Sequence, residues 1–184
     1  MGIKDLVNRT KTYIAGDWTG DSDLINKLEE WNKSENLDLS FVNVHEVTQS
    51  SDSSLKCSIK RSLRQRISIS KTFVLIVGKS TKGLRSGACY NCESYVSSVY
   101  GPFCSKKHTI DNRSFVDFEC EMALKDYNDG KLKNIVVIYN GLTSPDYSRC
   151  PQKLRNVGLH IGSDILENGD YKWAYTRIKN AICR

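Results

Sequence analysis

Short apolar runs alternate with amphipathic helical patterns along the whole chain, which predicts an α/β fold with a parallel sheet covered on both faces. Three observations carry this reading. Residues 72–78 (TFVLIVG) hold five successive apolar residues, as a strand buried on both faces requires. Residues 133–139 (KNIVVIY) repeat the pattern, and between such runs Leu24, Ile25, Leu28 and Trp31 fall on one helical face.

Taken in order, residues 12–16 (TYIAG) predict the first strand and residues 22–33 a helix, with Ser22 as N-cap. A second strand follows at 38–44 (DLSFVNV), and after a polar stretch a helix carries Leu55, Ile59, Leu63 and Ile67. The third strand, 72–78, should lie mid-sheet. Ser114 to Asp129 reads as a helix and 133–139 as a fourth strand. A short fifth strand is expected at 158–161 and a closing helix at 172–183, with Pro145, Pro151, Asn168 and Gly169 marking turns. The sum is a flavodoxin-like three-layer sandwich with about five parallel strands in the order 2-1-3-4-5. No repeat or linker divides the 184 residues, so one domain is expected, with its core at about 10–140 and a C-terminal strand and helix at about 150–184.

Composition narrows the function classes. With 39% hydrophobic and 26% charged residues the chain is ordinary for a globular protein. No apolar run reaches the roughly 18–20 residues of a membrane helix, and the first residues lack the apolar core of a secretory signal. A cytoplasmic protein is the expectation. The net charge of +6, from 27 basic and 21 acidic residues, favours anionic partners such as nucleotides. The densest basic stretch, 56–66 (KCSIKRSLRQR), has helical spacing and no interleaved aromatics, so it reads as a solvated helix face rather than a nucleic-acid surface.

Between the third strand and the next helix, at about 80–112, the chain inserts Cys89, Cys92, Cys104 and His108. Cys-x2-Cys followed by Cys-x3-His suits one tetrahedral zinc, and a closed set of four protein ligands leaves no open position for catalysis. Seven cysteines, an odd number, argue for metal ligands and thiols over disulfides in a reducing compartment. Free thiols, including a reactive CxxC pair, remain the alternative. Cys57, Cys120, Cys150 and Cys183 share no such spacing and are expected to be buried thiols; His45 and His160 are expected in loop or packing roles.

In a sheet of this kind, ligands bind beyond the carboxyl ends of the strands. That rule selects 17–23, 45–52 and 79–119. The loop Asp17-Trp18-Thr19-Gly20-Asp21-Ser22-Asp23 precedes a helix N-terminus, as a phosphate site would, yet its three carboxylates would repel a phosphate. A phosphoacceptor Asp at the end of the third strand is missing, since Gly78-Lys79 stand there, which excludes a response-regulator receiver. Asp17 is either a loop carboxylate or a hydroxyl acceptor, and Trp18 either a packing residue or a ring-stacking surface.

The segment Ser114-Phe115-Val116-Asp117-Phe118-Glu119 resembles the helix of TIR domains that opens on an aromatic residue and carries a glutamate four positions later. Residues 12–17, 73–78 and 133–139 resemble the TIR strands in the same order, so the resemblance spans about 10–140 and is closest to bacterial TIR-like proteins of phage defence, including the Thoeris ThsB type. It departs from the family at Phe115, Val116, Ala15 and Gly16, and in the loop 45–54. The resemblance implies an enzyme that cleaves NAD to an ADP-ribose-derived signal, cyclic or not, for a separate nucleotide-sensing effector, with Glu119 as the catalytic residue. Breaking the N-glycosidic bond builds oxocarbenium character that a carboxylate can stabilise. Asp17, Trp18, Asp52 and Phe115 are the implied substrate contacts. Glu121 lies about 200° around the helix and cannot share the Glu119 position. Glu119 could also be simply an acid favoured by the helix N-terminus.

Two alternatives stay open. Nucleoside deoxyribosyltransferases share the sheet, begin with a strand similar to Tyr13-Ile14-Ala15-Gly16, and use an early helix glutamate as nucleophile. A non-catalytic TIR-type module would instead self-associate, for which the basic helix at 56–66 offers a surface.

Overall fold

The computed structural model describes residues 11–34 and 55–184. The first described stretch holds β1 (Lys11–Ala15) and α1 (Ser22–Lys33), and the second opens with α2 (Lys56–Ile67) and β2 (Ser70–Val77). The insertion carries a two-residue hairpin, β3 (Tyr95–Val96) with β4 (Phe103–Cys104). After it come α3 (Phe115–Asn128), β5 (Asn134–Tyr139) and β6 (Leu159–Gly162), a second hairpin of β7 (Asp164–Glu167) and β8 (Asp170–Trp173), and α4 (Tyr175–Ile182).

The described residues form a four-stranded parallel sheet in the order β1-β2-β5-β6. This is the expected order 1-3-4-5; the predicted second strand lies outside the described residues. Strand β2 sits between β1 and β5, and every residue from Thr72 to Val77 is buried, which accounts for its unbroken apolar run. Alternation along the strands feeds two cores. Tyr13, Phe73, Leu75 and Val137 meet α2 and α3 on one face, while Ile14, Val74, Ile76 and Val136 meet α1 and α4 on the other. The result is the three-layer α/β sandwich of flavodoxin-like folds.

Local capping departs from expectation in one place. Ser114 caps α3 by accepting from the Asp117 amide at 3.0 Å, as a helix N-cap should. In α1 the capping position is Asp21 rather than Ser22, and its side chain makes no capping bond. That carboxylate is drawn across the sheet end instead.

Two other expectations need correction. The closing helix begins at Tyr175, because residues 164–173 pair as a hairpin around the Asn168–Gly169 turn. The basic helix α2 is not wholly solvated: Lys60 is buried, donating to the carbonyls of Asp111 and Arg113 at 2.9 and 2.7 Å. His160 has the expected packing role, its Nδ1 against the Tyr139 hydroxyl and its Nε2 near the carbonyls of Leu154 and Val157. No described helix is long and apolar enough to cross a membrane.

Candidate active site

Glu119 lies one turn into α3 and is only 3% exposed. The Ser114 cap fixes where α3 starts, and Val116, Phe118, Cys120 and Ala123 pack its sides into the core under β1 and β2. This orientation carries the Glu119 carboxyl inward, where the Tyr13 hydroxyl of β1 donates to Oε1. The Tyr13 ring is itself fixed by stacking on Phe73, with centroids 5.7 Å apart and planes 8° from parallel.

Burial dominates the electrostatics of this pair. Desolvation pushes the Glu119 carboxyl up to about 8, and the Tyr13 hydrogen bond offsets part of that rise. Tyr13 is pushed well above its ordinary value by burial and by the adjacent carboxyl. At pH 7 Glu119 is therefore mostly a neutral acid. As the pH passes about 8 it becomes a carboxylate in a dry site, where its charge acts on a developing cation far more strongly than in water.

The remaining predicted site residues are dispersed. Phe115 opens α3, half-buried; its amide donates to the Ser86 carbonyl at 2.7 Å and its ring covers Gly87 so closely that a Cβ there would stand 2.5 Å from Cδ1. Asp17 follows β1, with Oδ1 accepting from the Thr19 amide at 3.1 Å and its carbonyl accepting from the Asp21 amide at 2.7 Å. Trp18 packs against the core formed with α1 and α4, whereas Glu119 lies in the layer of α2 and α3. The sheet thus separates these two. Asp52 lies outside the described residues, as does His45.

At the carboxyl ends of β1, β2 and β5 stands a group that sequence reasoning did not single out. Asp21, only 2% exposed, and Asp23 both accept from Asn140 Nδ2, at 3.0 and 2.9 Å. The Asp21 carboxylate lies over Gly78, where a Cβ would come within 2.0 Å of Oδ1, so any larger residue there would have to displace that carboxylate. Burial, with Asp17 and Asp23 nearby, raises the Asp21 carboxyl above its usual range. Tyr13 was also missed as a site residue. A buried tyrosine on a central-facing strand needs a hydroxyl partner, and that requirement is the signal that could have found it.

The predicted donors of the insertion share one cavity. Cys89, Cys92, Cys104 and His108 line one small cavity with Cys57 of α2, which spacing alone had set apart as a buried thiol. Cys120 and Cys150 are buried as expected, while Cys183 is exposed.

No curated protein matches the chain. Residues 13–86 match the model of the family described as "Thoeris protein ThsB, TIR-like domain". The matched segment runs from β1 through β2 and includes Tyr13, the partner of Glu119; it ends before the Cys/His donors and before Glu119 itself. The match and the parallel sheet together make the chain similar to the TIR-like domain of the Thoeris ThsB family over its N-terminal part, from β1 through β2.

Proposed function

We propose that this domain cleaves the bond between nicotinamide and ribose in NAD and yields an ADP-ribose-derived signal for a separate effector. The reading is carried by Glu119: a buried carboxyl with an elevated pKa, in a helix start that resembles the TIR motif, and hydrogen-bonded to Tyr13 of the matched segment. In the proposed step the C1′–N bond breaks and its electron pair leaves with nicotinamide. Opening of the site relieves the burial that holds Glu119 neutral, so that its carboxyl ionises and stabilises the positive charge that builds on the ribose. Water, or a hydroxyl of the ADP-ribose itself, then bonds to C1′ and releases its proton to solvent. Phe115, at the start of the same helix, and Asp17, after β1, are the proposed substrate contacts.

The enclosure of Glu119 means that substrate reaches it only in an opened form, which self-association or an infection-derived trigger would supply. The same enclosure favours a second reading, in which Glu119 and Tyr13 are a core pair of a non-catalytic interaction module. Phage-challenged cells carrying wild type or Glu119→Gln distinguish the two. Loss of NAD and appearance of ADP-ribose products only with wild type supports the enzyme. Equal NAD levels in both, with protection retained by the variant, refutes it.

A further inference from the structure

We propose that Cys89, Cys92, Cys104 and His108 bind one zinc ion, and that Cys57 of α2 holds the His108 ring by Nδ1 so that Nε2 is the ligating atom. Four thiols and one imidazole line the same cavity of about 10 Å³, the size of a single water or ion. The backbone that presents them is fixed. Cys89 and Cys92 share a tight turn closed by the Cys92 amide on the Cys89 carbonyl at 2.9 Å, and the β3–β4 hairpin pairs Tyr95 with Cys104.

Three details separate this group from incidental thiols. The Asp111 amide donates to Cys89 Sγ at 3.2 Å, which ties this sulfur to the backbone just before α3. Between Cys104 and His108, Lys107 adopts a left-handed φ of 59° while its amide donates to the Cys104 carbonyl at 2.8 Å, a turn that brings the two donors to one side. Finally, Cys57 Sγ lies 2.8 Å from His108 Nδ1. A metal-bound histidine uses its other ring nitrogen in this way, to fix both tautomer and ring plane.

As the side chains stand, no three His, Cys, Asp or Glu residues among those described converge closely enough to hold an ion. The ion therefore closes its shell by drawing in side chains from a backbone already held in place. Three thiolates and one imidazole select zinc over hard cations, and the complete set gives it a bracing role. The brace is connected to α3. Cys57 ties it to α2, and Lys60, one turn along α2, donates to the carbonyls of Asp111 and Arg113 immediately before the Ser114 cap.

The test is metal analysis of the full chain purified under reducing conditions, followed by chelation and Co(II) titration. One equivalent of zinc is expected, and one of Co(II) with thiolate charge-transfer bands and the visible bands of a tetrahedral site. Cys89→Ser and His108→Ala should lose that spectrum. Cys57→Ala should keep one equivalent with roughly 10–100-fold weaker affinity. Absence of stoichiometric metal in the wild type, or an octahedral cobalt spectrum, overturns the site. Unchanged affinity in Cys57→Ala, or complete loss of binding, overturns the role assigned to Cys57. None of these readouts depends on NAD cleavage, so the site and the proposed activity fail or stand separately.

Discussion

Burial keeps the Glu119 carboxyl protonated up to about pH 8 in the folded chain, against an ordinary value of 4.5. Because the folded-state value is the higher one, the native protein binds the extra proton between these limits. The associated stability is fully present below 4.5 and is lost as pH rises through about 8. At about 1.4 kcal/mol per pH unit the gap sets a ceiling of about 5 kcal/mol, of which about 4 kcal/mol falls between pH 5 and pH 9. That is a large share of the roughly 5–15 kcal/mol by which a domain is stable. Glu119→Gln removes the titration while leaving a carbonyl to accept from Tyr13. Urea unfolding of both proteins at pH 5, 7 and 9 measures the effect. With a slope of about 2 kcal/mol per molar urea, the wild-type midpoint should fall by about 2 M more than that of the variant over this range. Other titrating groups, including Asp21, are common to both proteins and cancel in the comparison. Parallel midpoints would refute the claim that Glu119 is buried and neutral at pH 7.

Two further outcomes follow from neighbouring contacts. Tyr13→Phe leaves the buried Glu119 carboxyl without its phenol donor; it should cost about 1–3 kcal/mol in urea unfolding and raise the Glu119 pKa seen by carboxyl NMR titration. Gly78→Ala puts a methyl against the Asp21 carboxylate and should lose about 1–3 kcal/mol; pairing it with Asp21→Ala should recover part of that loss, and strict additivity in the double-mutant cycle would show that the two do not meet.

The contrast between β2 and the Tyr13–Glu119 pair shows what could be read from sequence. Five consecutive apolar residues can be satisfied only by a strand covered on both faces, so β2 and its central position follow from composition and period. Ser114 is equally local, since a cap needs only a residue and the amide three positions on. The β7–β8 hairpin was missed although its Asn168–Gly169 turn was recognised, because the flanking residues carry too little alternating burial to separate short strands from a helix start. Asp21 was expected in a loop, and nothing within 17–23 reveals that Gly78 leaves room for its carboxylate or that Asn140 reaches it.

The sequence by itself determined the parallel α/β sheet, its strand order among the described residues, the resemblance to TIR-like domains and the spacing of the four insertion donors, since all of these rest on local period, chain order or motif. Tertiary structure decided what those residues meet. Tyr13 and Glu119 are 106 positions apart, and Cys57 and His108 are 51 apart. Such contacts depend on how helices pack across a sheet, and no local pattern encodes them. Packing made Glu119 a buried, neutral acid and turned Cys57 toward the imidazole of the insertion.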